Sequence, residues 1–262
     1  MTVVSGKGVH SGLTCSVRIV SEPGPVTFIR SGTRIPASHT SVSGTRRATS
    51  LTNDGASVSM VEHLLAALYI SGWWQDLSFE VTADELPVLD GSATEWLPVL
   101  DSLGPPPPAP PALHVTQPVL VTEGGSSASL EPGGPGLDLD VTIDFDHPQI
   151  GRQRWQGGQA DYRQLAAART FGFSKDLDRL RSLGLGRGAG LDNCLVFSAD
   201  GSLNEPRSPD EPVRHKALDT LGDLYLLGQP LNGLVRTACS SHALHAKLVQ
   251  EIRQTAGLEK TA

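Results

Sequence analysis

The run GPPPPAPP at 104–111 constrains this chain more than any other stretch of it. Proline has no N–H to donate and holds φ near −65°, so neither a helix interior nor a central strand passes through such a run. Hydrogen-bonded structure has to stop before it and begin again after it. The 262 residues are therefore expected to form two units, 1–104 and 112–262, joined by a stiff linker at 105–111. A ligand for a proline-binding domain is the other meaning such a run can carry.

The two units share a grammar. In the first, LTCSVRIV (13–20) and LSFEV (77–81) alternate like half-buried strands. Between them Val61, Leu64, Leu65 and Leu68 recur at i, i+3, i+4 and i+7, one face of a helix. In LDGSATEWLPVL, Asp90-Gly91 reads as a turn and Ser92 as a helix cap. The second unit opens with strands near LHVTQPVLVT and GLDLDVTIDF, then short helices near 160–166 and 175–183 and a strand at 192–197. It closes with helices at 212–227 and 242–254. Strands followed by two helices, twice over, predict an α+β fold built from a duplicated unit.

Charge and composition exclude several classes. Lys and Arg total 21 against 28 Asp and Glu, a net charge of −7, which does not suit a nucleic-acid or anionic-lipid surface. No apolar run approaches the ~18 residues of a membrane span, and MTVVSGKGVHSG lacks the apolar stretch of a signal peptide. Cys15, Cys194 and Cys239 are scattered, with no C-x-x-C pair, as in a reduced cytoplasmic protein. A monomer acting on a small molecule, without nucleic acid or stable membrane insertion, is the expectation.

Three segments carry chemistry. In VRHKALDTLGDLYLLG (213–228), His215, Asp219 and Asp223 fall four apart and form one polar stripe on a helix. A His and a carboxylate one turn apart can close on a metal ion, whose zinc–ligand distances are ~2.0–2.2 Å; they can equally be a surface pair. In SMVEHLLAAL (59–68), Glu62-His63 opens an otherwise apolar helix. A lone His there is usually structural, but with the pair from the other unit it would complete a His-His-Asp set, leaving Glu62 as a base toward water. Two neutral imidazoles and one carboxylate leave Zn²⁺ a net positive charge, which can bring the pKa of water down to about 7. In SSHALHAKLV (240–249), His242 starts the last helix, where Ser240 or Ser241 can cap it. It is either a cap-proximal histidine or a general acid for a departing amine, with Asp223 keeping it charged. GKGVHSG (6–12) reads as a hairpin turn rather than a phosphate loop, with His10 a candidate to support the site from behind the ligands. In ARTFGF, Thr170 and Phe171 are indistinguishable by spacing from ordinary core.

Taken together, GKGVHSG, VSMVEHLLAAL, ELPVLDGSA, VTIDFDHPQI, ARTFGF, LNEPRSPDEPVRHKALDTLGDLYLLG and SSHALHAKLV resemble the zinc-dependent UDP-3-O-acyl-N-acetylglucosamine deacetylase family of lipid A biosynthesis. They occur in family order from residue 6 to about 252. The resemblance implies two α+β units whose helices pack between two outer sheets, with a small β-α-β insert in the second unit. It implies one Zn²⁺ per chain held by His63, His215 and Asp219, with Glu62 as general base. His242 becomes the acid or oxyanion partner supported by Asp223, Thr170 a hydrogen-bond donor to the oxyanion, and Lys216 a substrate contact. The insert, about 173–197, would form the acyl passage, with Phe171, Leu177, Leu191 and Val196 as substrate-binding residues. A His₂-carboxylate set suits Fe²⁺ as well.

The chain departs from the family pattern at named positions. Cys239 and Glu131 stand where basic residues near the substrate diphosphate are usual, Met60 replaces a usual Thr, Ser241 a usual Gly, and Trp73-Trp74 a small-acidic pair. The same zinc chemistry on a different N-acetylated sugar, or a non-catalytic binding relative, stays open on sequence alone.

Overall fold

A computed structural model of the chain describes residues 2–257, so the outer limits expected for the two units, 1 and 262, lie outside the described residues. The first half runs β1 (Thr2–Lys7), β2 (Thr14–Pro25), β3 (Thr27–Arg30), β4 (Thr33–Pro36), β5 (Val42–Gly44), β6 (Ser50–Asn53), β7 (Ala56–Ser59), α1 (Glu62–Ser71), β8 (Gln75–Val81) and α2 (Trp96–Asp101). After the prolines come β9 (Val119–Glu123), β10 (Ser126–Glu131), β11 (Leu137–Phe145), β12 (Gly151–Gly157), α3 (Tyr162–Leu165), β13 (Phe171–Phe173), α4 (Leu177–Ser182), β14 (Leu195–Phe197), α5 (Glu211–Leu224), β15 (Gly233–Ala238) and α6 (His242–Thr255).

Two five-stranded sheets carry the same topology, β1-β2-β8-β3-β4 and β9-β10-β15-β11-β12. In each, the last strand formed enters the middle, antiparallel to the second strand and parallel to the third. The duplication is thus one of strand order and direction as well as of element type. Alternation explains the faces: β2 buries Cys15, Val17 and Ile19, and β8 buries Leu77, Phe79 and Val81. A single apolar cluster continues from these through α1 and α5 to Val141 and Val235 of the second sheet.

Helix α1 is more enclosed than its periodicity suggests. Every residue from Glu62 to Leu68 is buried, not only the stripe of leucines. The reason is its position: it packs on both α2 and α5, while α5 in turn lies on β11 and β12. It stops at Gly72, whose φ of +76° lets its N–H reach back to the last carbonyls. The insert is a parallel pair, β13 with β14, joined through α4.

Some expectations need correction. Ser92 does not cap a helix: α2 begins at Trp96 without a side-chain cap. Ser92 instead donates its hydroxyl to Asp90 Oδ1 at 2.8 Å and accepts from the Thr94 N–H at 3.1 Å, closing a tight turn. Of LHVTQPVLVT only the part from Val119 onward is strand, the start of β9, and Leu113 makes a single bridge to Leu231. Pro118 explains the late start, having no N–H to give a ladder.

Trp74 ties the halves together. Its ring stacks on Tyr225 at 4.7 Å and meets Tyr69 edge-on at 4.9 Å, while the Tyr225 hydroxyl donates to the Trp73 carbonyl at 2.6 Å. Trp74→Ala is expected to cost about 3–5 kcal/mol of unfolding free energy, as buried large-to-small changes do. Denaturant unfolding checks this; a loss under about 1 kcal/mol would assign the cohesion of the halves elsewhere.

Candidate active site

One missing side chain brings α1 and α5 into contact at the site. A Cβ on Gly222 of α5 would overlap the Glu62 carbonyl oxygen at the start of α1. With only hydrogen there, the first turn of α1 lies directly on α5. That approach sets His63 beside His215 and Asp219, whose ligand atoms all lie within 4.8 Å of one another. The two imidazole rings stand 5.1 Å apart at 84°. All three side chains are buried.

The hydrogen bonds show what this cluster lacks. His215 Nδ1 lies 3.1 Å from the Ala168 carbonyl, which can only accept, so Nδ1 carries the proton and Nε2 presents a lone pair. Asp219 Oδ2 accepts from Lys216 Nζ at 2.9 Å. Asp219 Oδ1 is buried with no hydrogen-bond partner. It faces His215 Nε2 at 3.3 Å and His63 Nε2 at 3.9 Å. Burial pushes His63 down to about 3, with His215 adding to the effect, and burial lowers His215 as well. Burial works to raise Asp219, yet the neighbouring His215 and the Lys216 charge hold it well below the usual carboxylate range. A carboxylate oxygen without a donor, the His215 Nε2 lone pair and the buried His63 ring therefore converge, an arrangement a divalent cation would satisfy.

A second group adjoins the first. Glu62 Oε2 accepts the Thr49 N–H at 3.0 Å, and Oε1 lies 3.9 Å from His242 Nε2. Burial lifts the Glu62 carboxyl to about 7, against the opposing charge of His242. His242 Nδ1 meets Asp223 Oδ2 at 2.7 Å, and Thr49 Oγ1 donates to Asp223 Oδ1 at 2.5 Å. Burial alone would lower His242, but the Asp223 charge and hydrogen bond, with Glu62 behind them, raise it to about 9. Ser241, rather than Ser240, caps α6 through the Leu244 N–H. A cavity of about 350 Å³ reaches Asp223 and His242 from the side of His39 and Lys247.

The remaining candidates are placed as follows. Lys216 Nζ lies 5.9 Å from the centre of the Phe171 ring, which is 6.3 Å from His215. Thr170, half-buried, gives its N–H to the Gly91 carbonyl at 2.6 Å, two residues beyond the Ala168 carbonyl that orients His215. Gly91 is at φ +88°, and a Cβ there would collide with the Asn193 carbonyl, so the Asp90-Gly91 turn admits no larger residue. Leu177 and Val196 are half-buried in the insert, whereas Leu191 is 53% exposed on its loop. GKGVHSG spans the end of β1 and the turn toward β2, where the Glu85 carboxylate takes the N–H groups of His10 and Ser11 at 2.7 Å each. Glu131 lies on the β10 face away from the buried Ala128 and Leu130 and accepts from Arg236 at 2.9 Å.

Two residues escaped the sequence reading. Thr49 touches both Glu62 and Asp223, but RRATSLT offers no periodicity or motif to mark it. His245 bonds Asp223 Oδ2 at 2.7 Å; its spacing of three from His242 on a helix was the available signal.

Comparison with known proteins identifies the family. A family model described as LpxC, UDP-3-O-acyl N-acetylglycosamine deacetylase, matches residues 1–254. The chain belongs to that family. It is 43% identical to a UDP-3-O-acyl-N-acetylglucosamine deacetylase of Thermosynechococcus vestitus, over 95% of this chain and 90% of the relative. Proteins of the same name from Anaeromyxobacter dehalogenans and Helicobacter pylori are 38% and 37% identical, over 95% and 94% of this chain and 83% and 87% of theirs. Among the described residues no helix is long and apolar enough to cross a membrane.

Proposed function

We propose that the chain hydrolyses the N-acetyl group of UDP-3-O-acyl-N-acetylglucosamine, releasing acetate and the free amine for lipid A biosynthesis. The observation that carries this reading is the unpartnered Asp219 Oδ1 between two imidazole nitrogens, with a carboxylate and a His–Asp pair beside it, in a member of this family. His63, His215 and Asp219 hold the ion, which we take as Zn²⁺. When bound there, such an ion would supply Lewis-acid polarisation of the amide carbonyl and of water.

The chain's own residues do the rest. Glu62, at 3.9 Å from His242 and fixed by the Thr49 N–H, takes a proton from the water that adds to the acetyl carbon. Thr170 donates its hydroxyl to the developing oxyanion. His242, kept charged by Asp223, hands its Nε2 proton to the amine nitrogen as the C–N bond breaks. Lys216, beside the Phe171 ring, contacts substrate, and Phe171, Leu177, Leu191 and Val196 receive the acyl chain. Reaction in the cytoplasm, by a monomer, completes the proposal; the three cysteines are free, two of them buried.

Acetate release from the UDP-linked substrate and from the same acylated sugar without the nucleotide tests the assignment. Expected is a clear kcat/KM preference for the UDP-linked form, with metal content near one zinc per chain. Equal or better turnover of the unlinked sugar would overturn the substrate assignment.

A further inference from the structure

Helix α6 presents two histidines to one carboxylate oxygen. His242 and His245 are three apart and therefore on one face, and each places Nδ1 2.7 Å from Asp223 Oδ2. Their rings stand 6.2 Å apart at 86°, so both reach the oxygen without touching. His245 is buried, at 1% exposure. Its Nε2 lies 2.8 Å from Ser240 Oγ and 3.3 Å from Thr220 Oγ1. The Thr220 hydroxyl donates to the Lys216 carbonyl, leaving Ser240 as the hydroxyl that can donate to Nε2. The consistent proton arrangement has His245 as its Nδ1–H tautomer, donating to Asp223 and accepting from Ser240. Asp223 then receives three donors: His242, His245 and Thr49.

We propose that His245, on the reading that His242 is the acid, is a positioning residue: it takes a share of the Asp223 carboxylate's charge and fixes that carboxylate, so that His242 gives up its proton more readily. Carboxylate charge offered to a second N–H is less available to the imidazolium it faces. Among the other titratable groups facing His242, His63 of α1 and His215 of α5 are lowered by burial and by its charge. Asp219 of α5 and Glu62 of α1 face it and raise it alongside Asp223. Lys247 of α6 is paired with Glu123 of β9, Glu131 of β10 with Arg236, and His39 lines the cavity beside α6. His245 is the donor that the helix adds to the pair.

The test compares His245→Leu, which fills the space without donating, with His245→Asn, whose amide can occupy the Nδ1 position. In the zinc-loaded enzyme, His245→Leu is expected to lower kcat about tenfold with KM within about twofold. The alkaline limb of its pH profile should move up by about 0.5–1 unit, because Asp223 then spends its charge on His242 alone. His245→Asn should restore both kcat and the limb. Equal loss in Leu and Asn variants, or an unmoved limb in a folded Leu variant, would make His245 a packing residue and overturn the proposal. His242→Ala separates the two readings: if the alkaline limb persists without His242, it is the acid assignment that fails. Should the Leu variant not fold, nitrogen-15 spectra of the intact protein decide, since an Nε2–H tautomer of His245 leaves Nδ1 unable to donate and removes the mechanism.

Discussion

Asp219→Asn is expected to fold like the natural chain, to bind zinc more than about 100-fold more weakly, and to deacetylate at a trace of the normal rate. Changes in groups that merely support metal ligands already cost about 10–100-fold in affinity or activity, so loss of the only charged ligand sets a floor above that range. The substitution keeps the shape of the side chain while removing the charge that opposes Lys216 and faces His215 at 3.3 Å and His63 at 3.9 Å. Binding can be read without turnover. A ligand present at 100 times its Kd stabilises the native state by about 2.7 kcal/mol, so zinc should raise the Tm of the natural protein and, at the same concentration, stabilise Asp219→Asn by no more than about 0.4 kcal/mol. Equal zinc-induced stabilisation of both proteins would place the ion elsewhere and empty the cluster of its assigned role.

Much of this site could be read along the chain because helices announce themselves. The i, i+4 spacing of His215 and Asp219 and the leucines after His63 mark two helices, and the Asp90-Gly91 turn and the Ser-Ser cap before His242 mark local geometry. What periodicity does not contain is contact between helices. Nothing in the sequence distinguishes Gly222 from an ordinary helical glycine, yet it admits the Glu62 carbonyl and so brings His63 to α5. Thr49 is similarly silent, because its function depends on a backbone N–H and a hydroxyl reaching groups 13 and 174 residues away. Polar strands were lost for a different reason. β10 reads SSASLE and β15 reads GLVRTA, short runs whose burial comes from neighbours in the sheet rather than from their own hydrophobicity. Ser92 misled because an Asp-Gly-Ser turn and a helix N-cap use the same hydroxyl chemistry.

The alkaline behaviour of the protein should be governed by one imidazole, in activity and in stability alike. His242 is raised from 6.5 to about 9, chiefly by Asp223 acting against burial. A divalent cation in the neighbouring cluster repels the imidazolium, so kcat/KM of the loaded enzyme should fall on an alkaline limb centred at or below pH 9. His242→Ala should abolish that limb and lower kcat about 10²–10⁴-fold, the range for loss of a positioned proton donor. For stability, a pKa raised on folding means that the native state binds the extra proton. The contribution of the ion pair is then fully present below pH 6.5 and is lost as pH rises toward 9 in the metal-free protein. At the acid end Asp223 works in the opposite sense. Burial would raise it, but His242 and the hydrogen bonds from both histidines hold it at about 2, so its contribution persists above about pH 3.8 and fails only as pH drops toward 2. The difference in unfolding free energy between the natural chain and His242→Ala should therefore be level from pH 5 to 6.5 and shrink above it. A difference that stays level to pH 9.5 would mean that His242 is uncharged beside Asp223, and the leaving amine would have to find its proton from another group.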